Sequence, residues 1–343
     1  MKYQLIKKIL NSPISILDYL ILEHVKENTF ENFLENIKFS SQIFHLKENE
    51  YISNNNKLTL KGKQLLDELN QFKEPHFQFK RTGINKIFSF NCFCQKHDSE
   101  LFKTIENEDI NFENYKSCLL FTLRTIYNEK FRKEVNIEIY NRILNSEFSA
   151  NIYTEFLKLT LQQEKLGIKD IESNENDIWK DLNENTESFV FEVRQISKIE
   201  LCLSAFYNYE TTLEMNKYRF KYGKDMVRIS EIFINLFPYN GKSILLMGYN
   251  KKDEKSVKAD FYTYFKESEK RVQRKLTNLF LFACETWVIS EKLYNEKFKG
   301  IEDTIAFASN YSVRNYNERQ NFALNMFLPN FKIEMLKWFN KHR

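Results

Sequence analysis

The pair Asn240-Gly241 constrains this chain more than any other local feature. It follows Pro238-Tyr239 and stands between two apolar runs, Ile229–Phe237 and Lys242–Tyr249. A two-residue hairpin loop needs positive φ at its centre, which Asn and Gly tolerate, so an antiparallel hairpin is predicted here. Upstream, Phe189, Phe191 and Val193 alternate with Val190, Glu192 and Arg194 as in a half-buried strand, and Leu201–Tyr209 reads as another. Residues 188–343 are therefore expected to hold an antiparallel sheet of about three to five strands packed with helices. Apolar spacing predicts those helices at Val257–Lys266, at Val272–Tyr294 with Leu276, Leu279, Phe280, Ala283 and Trp287 on one face, and through the tail Ile301–Arg343.

Elsewhere helices should dominate. Seven Gly and four Pro in 343 residues are too few for a turn-rich all-β chain, and 42% hydrophobic residues supply ample core. The fold class expected is α+β, with a helical middle segment at 91–170 that bears the motif treated below. Within it Phe112, Tyr115, Leu119, Leu123, Ile126 and Tyr127 predict one amphipathic helix over Asn111–Lys133, with Arg124 embedded, and a second helix is expected at Ile137–Leu166. An acidic connector around Trp179, at 171–187, should divide this segment from the sheet. Residues 73–90, with Pro75 and Gly83, read as a linker or arm whose Phe77, Phe79, Ile87, Phe88 and Phe90 are spaced to dock on a neighbour.

At the N-terminus, Ser12-Pro13 precedes an apolar face of Ile16, Leu17, Leu20, Ile21 and Val25, predicting a helix. A second helix is expected over Phe30–Leu46, with Phe33, Leu34, Ile37, Ile43 and Phe44 inward. A short hairpin about Asn54-Asn55-Asn56 and a helix at Lys61–Leu69 follow. This order, with the phrase Leu58-Thr59-Leu60-Lys61-Gly62-Lys63-Gln64-Leu65-Leu66, resembles a winged-helix domain covering residues 1–72. The resemblance implies a helix in the DNA major groove beside a basic wing. The segment is electrically neutral, with nine Lys against nine Asp and Glu, which suits a protein-contacting or structural winged helix as well as a DNA-binding one.

Thiols, an imidazole and carboxylates crowd together only in Cys92-Phe93-Cys94-Gln95-Lys96-His97-Asp98, which runs on through Leu101-Phe102 to Ile105-Glu106. Three chemistries fit. In a structural one, Asp98 or Ser99 caps a helix, Cys94 is a small buried hydrophobe and His97 bonds a neighbour. In a metal one, Cys92, Cys94 and His97 ligate zinc, with Asp98, His76 or a distant residue as the fourth ligand. In a catalytic one, His97 is a general acid or base, or activates Cys94, with Asp98, Glu106 or Glu285 as carboxylate partner. The phrase Phe93-Cys94-x-x-His97-Asp98-x-x-Leu101-Phe102-x-x-Ile105-Glu106 is similar to one in a group of bacterial proteins without an assigned activity. There it precedes a helix like Leu123–Lys130 and a late phrase like Glu285-Thr286-Trp287. The resemblance covers residues 88–295 and supplies no activity; together with a winged-helix-like module in front it would suit a role linked to mobile elements or phage defence.

Two basic clusters interleaved with or beside aromatics suit nucleic acid, since rings stack bases while charges hold the backbone. One is Lys217, Arg219, Lys221, Lys224 and Arg228 with Tyr218, Phe220 and Tyr222. The other is Lys266, Lys270, Arg271, Arg274 and Lys275. The alternative is a solvated face beside core rings, and a net charge of +4 is too small to demand a polyanionic partner. Five scattered Cys suggest reduced thiols in a cytoplasmic setting, and neither a signal peptide nor a membrane span is expected. No glycine-rich phosphate loop, H-E-x-x-H or G-x-S-x-G occurs. The sequence thus points to a cytosolic bacterial factor associated with nucleic acid or a protein partner. The rival is a metal-dependent hydrolase or nuclease using His97 and Asp98.

Overall fold

The computed structural model describes residues 8–9, 11–26, 40–71, 78–83, 86–87, 93–106, 109–145, 154–208, 230–282, 284, 287–315 and 324–342. It is of α+β class, with helices and an antiparallel sheet among the described residues. Two compact units divide the chain, one of residues 1–75 with 135–165 and the other of 76–134 with 166–343.

In the first unit, helices α1 (Ile16–Lys26), α2 (Ser40–Glu48) and α3 (Leu60–Asn70) surround a core of Tyr19, Ile21, Leu22, Leu46, Leu66 and Leu69. α1 starts at a capping box rather than at Ser12-Pro13. The Ser15 amide donates to Asp18 Oδ2 at 2.9 Å and the Asp18 amide to Ser15 Oγ at 3.1 Å, whereas the Ser12 hydroxyl bonds Ile9 O. Phe44, expected inward, is 67% exposed; residues 30–39 of the expected second helix lie outside the description. Ile52 and Leu58 form a single antiparallel bridge about the asparagine tip, and Thr59 caps α3 by accepting from the Gly62 amide at 3.1 Å.

In the second unit the strands run β1 (Phe189–Ser197), β2 (Leu201–Asn208), β3 (Glu231–Tyr239), β4 (Lys242–Asn250) and β5 (Val288–Ile289), ordered β1-β4-β3-β2-β5 and antiparallel throughout. The hairpin at Asn240-Gly241 is as expected, with φ of 44° and 78°, the paired positive values of a type I′ turn. Alternate side chains of the central strands go to opposite faces. Ile232, Ile234, Leu236, Leu245 and Met247 enter one cluster, while Phe233 joins Phe189 in another. Gly248 lets the Phe191 ring lie across β4, since a Cβ there would stand 2.3 Å from Phe191 Cδ1.

Each face is covered by helices. On the first lie α7 (Glu254–Phe261), α8 (Thr263–Lys266), α9 (Glu269–Phe282), α10 (Glu291–Lys297), α11 (Glu302–Asn315) and α12 (Phe331–His342). On the second lie α4 (Gln95–Glu106) and the parts of α5 (Tyr115–Leu144) and α6 (Thr154–Glu184) that belong to this unit. Several expected boundaries are corrected. Residues 137–144 continue α5, and most of the acidic stretch 171–187 forms the last turns of α6, whose Ile171, Asn174, Ile178 and Asp181 are buried while Glu172 and Glu184 are exposed. The helix expected at Val272–Tyr294 is broken. Val288–Ile289 pair with Leu201–Cys202, and Ser290 then caps α10 by accepting from the Leu293 amide at 3.0 Å. Among the described residues no helix is long and apolar enough to cross a membrane.

Asp181 ties this half together. Its carboxylate accepts from Tyr115 Oη on α5 at 2.5 Å, from Thr186 Oγ1 at 2.6 Å and from the Ser188 amide at 2.7 Å, just before β1. Burial pushes its pKa up, but the bonds from Thr186, Tyr115 and Ser188 outweigh it, so the net shift is downward. A carboxylate lowered in the folded state stabilises the fold above its unfolded value, and that contribution is lost as pH falls through the folded value. Chemical denaturation at stepped pH should show stability falling below about pH 4, with a shallower fall in Asp181→Asn than in the parent. Parallel curves would contradict this role for Asp181.

Candidate functional site

The motif folds into the start of α4 and is divided by the helix. The Asp98 amide donates to Cys94 O at 2.9 Å, closing the first turn. Phe102 and Ile105 turn into the core, at 1% and 4% exposure, while Lys96, His97, Lys103 and Glu106 face out. Three residues apart, Cys94 Sγ and His97 Nδ1 sit 3.2 Å from each other on the exposed side. Asp98 is half-buried, has no side-chain partner among the described residues, and lines a cavity. Glu106, two turns on, pairs with the Arg124 guanidinium instead of approaching His97. Cys92 and Glu285 lie outside the described residues, and among those described no three His, Cys, Asp or Glu side chains gather as a metal-ligand set.

The cavity, of about 450 Å3, belongs wholly to the second unit. Sheet residues Cys202, Ser204, Asn235 and Phe237 form one wall. Phe93, Asp98 and Phe102 at α4, and Phe121, Arg124, Tyr127 and Asn128 on α5, form the other, with Ile87, Leu203 and Leu236 completing the lining. Its rings form two groups. Phe93 lies 5.6 Å from Phe102 and 4.8 Å from Tyr127, centroid to centroid, both edge-on; Phe121 stacks on Phe237 at 5.1 Å. The Tyr127 hydroxyl donates to Glu175 at 2.6 Å and accepts from Trp179 Nε1 at 3.3 Å, which fixes the ring that lines the cavity.

Polar groups are few and placed. Thr125 Oγ1 lies 3.0 Å from Phe121 O, 2.8 Å from Ser204 Oγ and 3.2 Å from Asn235 Oδ1, joining α5 to β2 and β3. Asn235 is 4% exposed, and its Nδ2 is buried with no acceptor among the described residues. Arg124 is neutralised: it is paired with Glu106, and its guanidinium carbon lies 4.2 Å above the centre of the Phe102 ring. Ser204, Asn235 and Asn128 were not singled out in the sequence. The available signal was Asn235 itself, the one amide inside the apolar run Ile232–Phe237.

Of the expected nucleic-acid contacts, Lys217, Arg219, Lys221, Lys224 and Arg228 lie outside the described residues. On α9, Lys270 is exposed, Arg271 pairs with Glu267 at 2.9 Å, Arg274 is half-buried, and Lys275 bonds Thr263 and lies 5.3 Å above the Tyr264 ring.

The thiols divide by environment. Burial pushes Cys118 up to about 12 and also raises Cys202, in the cavity wall, whereas Cys94 is exposed beside His97. Because the thiolate is the nucleophile, alkylation with iodoacetamide at pH 8, followed by peptide mapping, should label Cys94 well before Cys118 and Cys202. Equal labelling of all three would contradict the placement of α4, the burial of Cys118 and the partial burial of Cys202. Comparison with protein families, with curated proteins and with solved structures finds no match to this chain.

Proposed function

We propose that the second unit is a small-molecule-binding module whose ligand occupies the cavity between α4, α5 and the sheet. The observation that carries this reading is the Asn235 amide: a buried donor without an acceptor among the described residues, in a residue that lines a cavity of mixed aromatic and polar character. Leaving such a donor unsatisfied costs about 1–3 kcal/mol. A strand buried on both faces would be more stable with leucine there, so the amide is explained by a ligand atom that accepts its hydrogen bond. The volume falls in the range of small-molecule sites, and the lining is their usual mixture of rings, aliphatic groups and a few placed polar atoms.

The hydrolase or nuclease reading draws on the Cys94–His97 contact and on Asp98 nearby in sequence, but the imidazole is exposed and directed to the thiol. The nucleic-acid reading draws on α9, where one of the four cations from Lys270 to Lys275 already pairs with Glu267 and another bonds Thr263. The cavity supports ligand binding more directly than either.

The test uses acetophenone, a ring bearing an acceptor, and ethylbenzene, which lacks one. A ligand specific for the folded state stabilises it by about 2.7 kcal/mol at a hundred times its Kd. Acetophenone should raise Tm, and Asn235→Leu should weaken its binding about tenfold while leaving the ligand-free protein as stable as the parent or more so. Thr125 and Ser204 keep each other as partners in that variant. A ligand-free Asn235→Leu protein destabilised by about 2 kcal/mol or more, with acetophenone binding unchanged, would show that the amide serves the fold alone.

A further inference from the structure

Resting on the proposal that the cavity takes a ligand, we infer that the ligand is an organic cation: a ring or compact apolar body bearing a positively charged nitrogen, with a hydrogen-bond acceptor elsewhere. The inference comes from the charges that line the space. Arg124 would favour an anion if free, but its guanidinium is paired with Glu106 and laid over the Phe102 ring, so together they present little net charge. Asp98 is the remaining ionisable acid or base of the lining, apart from weakly acidic Tyr127 and Cys202. No cationic side chain among the described residues pairs with it.

Two further features fit. Asp98 lies in the first turn of α4, where the helix dipole partly offsets a half-buried carboxylate without supplying a full counter-charge. The walls carry five aromatic rings, Phe93, Phe102, Phe121, Tyr127 and Phe237, and the faces of such rings attract cations most strongly where water is excluded. Phe102 already holds one cation this way, so the geometry is demonstrated within the site. An anion would meet Asp98 unshielded, and a neutral molecule would leave its charge without a partner. The acceptor follows from the role proposed for the Asn235 amide, on β3 among the lining residues.

The experiment uses the full chain and three probes that share a phenyl ketone. They are phenacyltrimethylammonium, its neutral isostere with a tert-butyl group in place of the trimethylammonium, and 3-benzoylpropionate. Titration calorimetry should show the cation binding roughly tenfold tighter than the isostere, and the anion weakest. In Asp98→Asn, verified as folded by its thermal transition, cation and isostere should bind within about twofold of each other. If the isostere matches the cation in the parent protein, or if Asp98→Asn keeps the full preference, the charge assignment is wrong while the cavity stands. If the anion binds tightest, Arg124 sets the specificity and the inference is overturned. If none of the three binds, the ligand-binding reading fails with it.

Discussion

The central hairpin is buried on both faces, and the rest of the second unit follows from that. Residues 231–236 and 243–250 are all buried, and alternation sends neighbouring side chains in opposite directions. Ile232, Ile234, Leu245 and Met247 need one apolar layer, while Phe233 needs another. Fully burying a side chain of this size contributes about 1.5–3 kcal/mol, so neither face can be left in water. Helices after the hairpin cover one side and helices before it cover the other, and the chain order of α4 to α12 is how one polypeptide supplies both layers.

Asn235 is where this apolar logic is interrupted. On the face toward α5 it stands in register with Ser204, and Thr125 answers both, so the polar spot is shared by two strands and a helix. Such a network could close on itself, yet the Asn235 Nδ2 is buried without an acceptor among the described residues, in a residue that lines a cavity. The surrounding rings are braced: Tyr127 by Glu175 and Trp179 outside the lining, and Phe121 and Phe237 by each other and by Phe112. A wall fixed from behind is what keeps a binding space open before a ligand arrives.

The sequence revealed the sheet better than the helices around it. Asn240-Gly241 marks a hairpin because few other pairs tolerate two positive φ angles, and the β1 alternation of Phe189, Phe191 and Val193 is simple to read. The length of α6 was hidden because its inward positions include Asn174 and Asp181, which a search for apolar periodicity passes over. The break after Phe282 was hidden for the opposite reason. Leu276, Leu279, Phe280 and Trp287 keep a helical spacing across it, while the strand pairing of Val288–Ile289 depends on distant Leu201–Cys202. At the motif, local spacing foretold that Cys94 and His97 could meet across one turn, but which side of α4 faces the sheet depended on Phe102 and Ile105. The cavity drew on α4, α5, β2 and β3 together, and Asn235 carries no motif around it.

The central claim, that the Asn235 amide is kept for a ligand, is tested most directly by its own side-chain NH2 resonances in a 1H–15N NMR titration with acetophenone. A new hydrogen bond should shift at least one of the two protons downfield with a saturable dependence on acetophenone, and ethylbenzene should leave both without such a shift. Saturable binding of acetophenone elsewhere, with the Asn235 signals unmoved, would contradict the account.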